Sequence, residues 1–192
     1  MREITIREAI REALIEEMEK DPSVFLIGEN IRSGGVYQLT KGILDRFGED
    51  RIIDTLISES GFVGAAVGAA LLGTRPVVDL MFNDFLPLTM DHIANHAAKM
   101  RYMYGGKAKV PMVIRVFFGA GTTSGCSHSQ SLEALVIHCP GLKVVMPSTP
   151  ADAKGLMKSA IRDDDPVIFF EHRLLYAMEG EVPEGEYIVP LG

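Results

Sequence analysis

Glu59 is a candidate for chemistry because it opens a predicted helix whose continuation over residues 61–72 is apolar and small-sided. A carboxylate at the amino end of a helix is ordinarily explained by its attraction to the helix macrodipole. A carboxyl group enclosed by apolar walls can instead keep its proton near neutrality and donate a hydrogen bond to a heteroaromatic nitrogen. The residues alone leave both explanations open.

His128 is a second candidate, since it stands between two serines directly after a glycine-rich loop that follows a predicted strand. Loops in this position carry functional side chains in α/β folds, and an imidazole is suited to proton transfer near neutral pH. A solvated loop histidine is the simpler explanation of the same pattern.

Several motifs of common enzymes and binding sites are absent or incomplete. Residues 119–125, GAGTTSG, miss the dinucleotide fingerprint because the third glycine comes one place late, and the sequence holds neither GxxxxGK[ST] nor GxSxG. His92 and His96 have zinc-like spacing, but Ile93 replaces the glutamate of HExxH, which favours surface or interface polar residues. Cys126 and Cys139 are too far apart for a CxxC motif and are predicted to be free thiols.

The composition predicts one globular domain and excludes several classes of partner. The 192 residues fit a single domain, and 47% hydrophobic with 23% charged residues is typical of soluble proteins. A net charge of -7 with scattered basic residues argues against nucleic acid, and no apolar run is long enough for a membrane span. The amphipathic start contains acidic residues throughout, unlike a secretory or transit peptide, so we expect a cytoplasmic chain.

Hydrophobic patterning predicts strands that alternate with helices. The predicted helices cover residues 6–21, 42–47, 59–72, 85–104, 130–137 and a segment from Thr149-Pro150, and the predicted strands cover 24–27, 52–53, 76–80, 110–118, 142–146 and 167–170. This order implies an α/β fold with a doubly wound, mostly parallel sheet and helices on both faces. Ligands of such sheets bind outside the carboxyl ends of the strands. Residues 1–179 are assigned to this domain, and the acidic residues 180–192, which contain two prolines, are assigned to a linker.

A set of segments resembles a known family. The phrase DTLISESGF at residues 54–62 is followed in order by GAAVGAALLG at 64–73, SHSQ at 127–130 and HCPGLKVV at 138–145, with shorter matches at 75–76, 101–103, 152–156 and 160–163. Together they cover nearly the whole chain. They resemble the pyrimidine-binding, transketolase-like domain in the beta subunit of the decarboxylating component of 2-oxoacid dehydrogenase complexes. That family acts on pyruvate, branched-chain 2-oxoacids or acetoin with thiamine diphosphate.

The resemblance implies roles for individual residues. Glu59 would hydrogen-bond the aminopyrimidine of thiamine diphosphate and promote its imino tautomer, with Leu56 and Ile57 in the same cofactor-binding segment. Phe85 would pack against the pyrimidine, and a core phenylalanine at a helix start is the alternative. His128 would lie near the substrate and the incoming lipoyl group, where it could supply or take a proton.

The resemblance also implies charged and metal-binding positions. Glu29 follows the first predicted strand, where relatives carry an acidic residue in a tunnel joining paired active sites, although a solvated turn glutamate explains it equally well. Residues Met112, Ala160, Asp163 and Asp165 correspond to a potassium site built largely from backbone carbonyls. The GDG-to-NN pattern that holds magnesium and the diphosphate is missing, so the alpha partner would supply it.

The implied partners are an alpha subunit, a second beta chain in an alpha2-beta2 assembly, and a lipoyl acyltransferase core. We expect the chain to be inactive alone and, because relatives continue into a carboxy-terminal domain, to be truncated or the product of a split gene. Residues 83–84 and 119–126 lie in segments that vary or depart from the family, which leaves the 2-oxoacid open. Half of a split transketolase-like enzyme and a non-catalytic assembly module are the alternatives.

Overall fold

The computed structural model describes residues 1–191. The strands are β1 (Arg2–Thr5), β2 (Val24–Gly28), β3 (Ile52–Asp54), β4 (Arg75–Phe82), β5 (Val113–Phe118), β6 (Lys143–Val145), β7 (Val167–His172) and β8 (Glu179–Val182). The helices are α1 (Ile6–Lys20), α2 (Ile43–Phe47), α3 (Glu59–Leu71), α4 (Leu86–Met90), a π-helical segment (Asp91–Ala97), α5 (Ala98–Met103), α6 (Glu133–Ile137) and α7 (Pro150–Arg162). Among these residues, no helix combines the length and apolar character that crossing a bilayer requires.

The main sheet has six parallel strands in the order β3-β2-β4-β5-β7-β6. The chain runs from β2 outward to β3 and then returns to the other side of β2 as β4. The winding direction therefore reverses between β2 and β4. In open α/β sheets such a reversal leaves a crevice outside the carboxyl ends of the strands, where ligands bind.

Helices cover both faces of the sheet. On one face, α1 and α7 pack against side chains such as Val77, Val113 and Val167. On the other face, α3 and the π-helical segment pack against alternate side chains of the same strands, such as Val78 and Ile114. Strands buried on both faces lack polar alternation, which is the pattern the sequence displays. The predicted doubly wound, mostly parallel α/β fold is confirmed.

Helix α1 begins and ends where local signals predict. The Thr5 hydroxyl accepts a hydrogen bond from the Glu8 amide at 3.2 Å, and the Glu8 carboxylate accepts from the Thr5 amide at 2.8 Å. This capping box satisfies amide groups that have no partner inside the helix. Ile10 and Leu14 lie on the buried face, and the helix ends before Pro22, which cannot donate a backbone hydrogen bond.

Other boundaries differ from the sequence prediction. The helix predicted over residues 85–104 consists of a 3₁₀ turn, α4, the π-helical segment and α5. The sequence pattern did not predict this division, because a π turn inserts a residue that regular α periodicity does not reveal. The strand predicted from residue 110 begins at Val113, and the helix predicted from residue 130 begins at Glu133.

The tail is more ordered than the predicted linker. Strand β8 pairs with β1 in an antiparallel two-stranded sheet, with Arg2 opposite Val182. Beyond it, the Tyr187 hydroxyl donates to the Ala151 carbonyl at 2.9 Å, and Glu186 lies 3.3 Å from Lys158. Both contacts hold the tail against α7. Residues 180–182 therefore belong to a strand of this domain, while the assignment of residues 180–192 to a linker stays a prediction.

A buried charge cluster joins the three central strands. The Arg115 guanidinium on β5 donates to both carboxylate oxygens of Glu171 on β7, at 2.7 and 3.0 Å, and to Asp79 on β4 at 3.2 Å. The Tyr176 hydroxyl donates to Glu171 at 2.6 Å. All four residues are buried. Burial raises the pKa of both carboxyls, whereas the opposing Arg115 charge lowers it, so the cluster is stable only with its cation present.

Replacing Arg115 by methionine should lower the free energy of unfolding by about 3–5 kcal/mol at neutral pH, because two buried carboxyls lose their counter-ion. Urea unfolding followed by circular dichroism measures the change. The matched control is Arg46→Met, since Arg46 forms an exposed ion pair with Glu19 whose loss costs at most about 1 kcal/mol. Equal losses in the two variants would show that the cluster does not organise the sheet.

Candidate functional site

The predicted site residues emerge at the carboxyl ends of the parallel strands. Glu29 follows β2, Glu59 follows β3 at the start of α3, Phe85 follows β4, and His128 lies in the loop after β5. Parallel strands end at a common edge, so the fold brings residues distant in sequence to one side of the sheet. They form two groups there, a carboxyl pair and an aromatic cluster.

The carboxyl pair consists of Glu29 and Glu59. Gly28 lets β2 approach β4 closely, since a Cβ atom at that position would lie 2.5 Å from the Asp79 carbonyl oxygen. Glu29 is therefore buried as soon as the strand ends, and its Oε1 atom has no hydrogen-bond partner. Burial raises the pKa of Glu29, and the nearby negative charge of Glu59 raises it further, while a hydrogen bond from the Ser58 amide works in the opposite direction.

Glu59 itself is half-buried, at the first position of α3. The residues before it face outward, because Leu56 is 88% exposed and Ile57 is 83% exposed. This chain alone therefore encloses Glu59 only in part. The apolar walls expected around its carboxyl are incomplete within the described residues.

The aromatic cluster consists of Phe82, Phe85 and His128. The His128 ring lies edge-on to Phe82 at 4.6 Å and to Phe85 at 5.5 Å between ring centroids. Phe82 and Phe85 contact each other at 6.2 Å in the same geometry. The Ser127 hydroxyl lies 3.1 Å from His128 Nδ1. All three rings are half-buried, so they can present both an apolar surface and a proton-carrying nitrogen to a bound molecule.

The turn after β4 holds the His128 loop in place. The side-chain amide of Asn83 donates to the Gln130 carbonyl at 3.0 Å, and its side-chain oxygen accepts from the Leu132 amide at 2.8 Å. Asp84 accepts from the Gln130 side chain at 2.9 Å. Asn83 is fully buried, so water does not compete for these bonds. They fix the position of His128 relative to Phe85.

Arg173 supports the same loop from β7. Its guanidinium donates to the Gly119 carbonyl and to the Ser129 hydroxyl, and it lies 5.6 Å from the centroid of the Phe82 ring. The side chain is buried, and its Nε atom has no partner. Arg173 thus ties both ends of the loop to the aromatic cluster.

The residues predicted to bind potassium lie at the opposite end of the sheet, where β5 and β7 begin. Met112 precedes β5, Ala160 and Asp163 lie at the end of α7, and Asp165 precedes β7. The carbonyls of the first three accept hydrogen bonds from the Val167 amide, the Asp163 amide and Arg75, at 3.0, 3.4 and 2.8 Å. Each carbonyl oxygen retains a second lone pair that could face a cation.

Sequence reasoning missed the residues that support the site. Arg115, Asp79 and Glu171 were not singled out, although each is a charged residue flanked by apolar residues inside a strand, which is a signal of a buried ion pair. Phe82 and Arg173 were also missed. Their role depends on the contact between loops after β4, β5 and β7, and no local pattern encodes that contact.

A comparison with protein families gives one match that spans most of the chain. The profile described as "Transketolase, pyrimidine binding domain" matches residues 2–179. Among solved structures, a chain described as "Split gene transketolase, inactive beta4 tetramer" has a similar fold. Its TM-score is 0.69 at 21% identity, over 87% of this chain and 50% of that chain. At that identity the likeness concerns the fold alone.

Curated relatives are similar over nearly the whole chain. The beta subunit of acetoin:2,6-dichlorophenolindophenol oxidoreductase from Cupriavidus necator is 53% identical over 100% of this chain. The pyruvate dehydrogenase E1 component subunit beta of Gracilaria tenuistipitata var. liui is 49% identical over 100% of it, and the 2-oxoisovalerate dehydrogenase subunit beta of Bacillus subtilis is 46% identical over 96%. The chain spans 60%, 59% and 57% of the length of these relatives, respectively.

The raised pKa of Glu29 predicts a pH-dependent effect of Glu29→Gln. A carboxyl whose pKa is higher in the folded than in the unfolded state stabilises the fold at pH values below its pKa in the unfolded state. This contribution is lost as the pH rises through its pKa in the folded state. Glutamine carries no charge at any pH. The change in melting temperature that the substitution causes should therefore be more positive at about pH 8 than at about pH 4.

Differential scanning calorimetry at the two pH values measures this difference. Glu49→Gln is the matched control, because Glu49 is exposed. A difference in melting temperature that is the same at both pH values, or that also appears in the control, would contradict the assignment of Glu29 as a buried, proton-holding carboxyl.

Proposed function

The chain belongs to the family of transketolase-type pyrimidine-binding domains, and from that membership we propose that it provides the pyrimidine side of a thiamine-diphosphate site in the beta subunit of a 2-oxoacid dehydrogenase. The observation that carries the proposal is the carboxyl end of the parallel sheet, where Glu59 follows β3, Phe85 follows β4 and His128 follows β5. The similarity to three dehydrogenase-type beta subunits supports it.

The donor set at this edge fits the pyrimidine end of the cofactor. A flat heteroaromatic ring needs an apolar face to pack against and a hydrogen-bonding group at its nitrogen. Phe85 and Phe82 offer the apolar surface, and Glu59 offers the carboxyl. The buried Glu29 oxygen without a partner lies near Glu59, so a polar ligand atom or an ordered water has an unsatisfied group to meet.

Each residue has a proposed task. When bound, thiamine diphosphate supplies the carbon nucleophile that attacks the 2-oxoacid. Glu59 would hydrogen-bond a pyrimidine nitrogen, Leu56 and Ile57 would belong to the same cofactor-binding segment, and the buried Glu29 would lie beside Glu59. His128 supplies or takes a proton as the acyl group passes to lipoamide.

The partners follow from what this chain does not carry. The GDG-to-NN pattern for magnesium and diphosphate is absent from the sequence, so an alpha subunit would hold that end of the cofactor. The partly exposed Glu59 and the outward-facing Leu56 and Ile57 support a site completed by that subunit. A second beta chain and a lipoyl acyltransferase core complete the proposed assembly. Pyruvate, a branched-chain 2-oxoacid or acetoin is the proposed substrate.

Glu59→Gln should lower the turnover of the chain reconstituted with its alpha partner by about 100-fold or more, because glutamine cannot exchange a proton at the ring nitrogen. Lipoamide-dependent turnover of each candidate substrate is the measurement, and calorimetry reports cofactor binding separately. Glu49→Gln, in an exposed position, should leave turnover unchanged.

Full turnover of Glu59→Gln would reject the acid role but leave the family assignment intact. If the unmodified chain and its alpha partner together bind no thiamine diphosphate, the chain is a non-catalytic assembly module. Activity with ketose donors in place of 2-oxoacids would favour the split transketolase alternative.

We also propose that potassium binds to a cluster of oxygens, mostly backbone carbonyls, from Met112, Ala160, Asp163 and Asp165, since hard cations prefer oxygen ligands. Replacing potassium by sodium at equal ionic strength should lower the melting temperature. With potassium at roughly ten times its Kd, mass action contributes about 1.4 kcal/mol to the free energy of unfolding. Identical melting curves in potassium, sodium and tetramethylammonium would rule the site out.

A further inference from the structure

Three metal-ligating side chains converge on the π-helical segment, away from the aromatic cluster. Asp91, His92 and His96 each offer one ligand atom, and these three atoms all lie within 4.8 Å of one another. The two imidazole rings are stacked at 5.7 Å between centroids. The sequence alone favours surface or interface polar residues here, because Ile93 stands where the HExxH motif has its glutamate.

The π geometry brings Asp91 to the histidines. In a regular α-helix, residues five apart point to different faces, whereas the wider π turn places residue i over residue i+5. His96 Nδ1 accordingly lies 3.1 Å from the Asp91 carbonyl oxygen and 3.7 Å from its carboxylate. Single π turns inside helices occur frequently at functional sites. Here the turn converts a pair of histidines into a group of three ligands.

Hydrogen bonds prepare both imidazoles for metal binding. A carbonyl oxygen only accepts, so His96 must donate from Nδ1, which leaves Nε2 with its lone pair free. His92 Nε2 lies 3.1 Å from the Ser60 hydroxyl, which can accept from it and so leave Nδ1 free. Metal-bound histidines almost always donate from their second nitrogen in this way, which fixes the tautomer and the ring.

The Asp91 carboxylate is prepared in the same manner. Asn95 donates to its Oδ1 atom at 2.8 Å, which leaves Oδ2 available. The carboxylate can therefore contribute one oxygen ligand beside the two imidazoles.

A groove lies over the two histidines and leaves room for further ligands. Its volume is about 490 Å³, and it is lined by His92, His96 and one side of α3, including Gly61, Gly64 and Gly68. A Cβ atom at position 64 would lie 3.0 Å from His92 Cε1, so a larger residue there would crowd the ring. A metal held by three side chains could complete its coordination with water in this groove.

We propose that Asp91, His92 and His96 form a binding site for a divalent transition metal of the zinc class, with an open coordination position facing the α3 groove. Two imidazoles and one carboxylate are the ligands of open zinc sites, where water takes the fourth position. The site lies beside the proposed thiamine-diphosphate site, since Ser60, which contacts His92, directly follows Glu59 on α3, but the metal proposal does not depend on that function.

Zinc chloride titrated into the full chain, in competition with a chromophoric chelator, tests the proposal. One zinc ion should bind per chain, and Co²⁺ should give the visible absorption bands of a four-coordinate site. His96→Gln and Asp91→Asn should each weaken binding by about tenfold or more, because each removes a ligand.

His138→Gln is the matched control for the histidine, because His138 is exposed and lies outside the cluster, and Asp45→Asn is the control for the carboxylate. Both should bind zinc as the unmodified chain does, and circular dichroism should show all four variants folded. The proposal fails if the unmodified chain binds no zinc, if folded His96→Gln and Asp91→Asn bind it unchanged, or if the controls lose as much affinity.

Discussion

The interaction on which the rest of the structure depends is the buried contact of Arg115 with Glu171 and Asp79. It joins β5 to both of its neighbours at the end of the sheet where the candidate site begins. The second oxygen of Asp79 accepts from the Met81 amide at 3.1 Å, where the backbone adopts a φ of 63° and the pairing of β4 with β5 shifts register. That irregularity sets the direction in which Phe82 and the following turn leave the sheet.

The same cluster constrains the strand on the other side. Glu171 is followed by His172 and Arg173, and Arg173 holds the loop that carries His128. One guanidinium therefore organises the chain segments that form the aromatic cluster. The carboxyl pair lies at the ends of β2 and β3, on the other side of the point where the strand order reverses. The two groups would offer a bound ring an apolar surface and a carboxyl pair.

Much of this architecture could be predicted from local sequence, and the remainder depended on distant contacts. The capping box at Thr5 and the apolar runs of the strands are local signals, and both gave correct elements. The contact between Phe85 and His128 could not be predicted from local sequence, since it rests on hydrogen bonds between Asn83 and Gln130, which are 47 residues apart. The π-helical segment and the pairing of β1 with β8 also escaped prediction, because one breaks the helical period and the other joins the two ends of the chain.

A crystal or cryo-EM structure of the chain with its alpha partner and thiamine diphosphate tests the central claim most directly. The account predicts that the Glu59 carboxyl lies within about 2.6–3.2 Å of a pyrimidine nitrogen, shielded from water by the alpha subunit, with Phe85 packed against the ring. A pyrimidine ring bound elsewhere, or a Glu59 side chain in contact with solvent in the complete assembly, would contradict it.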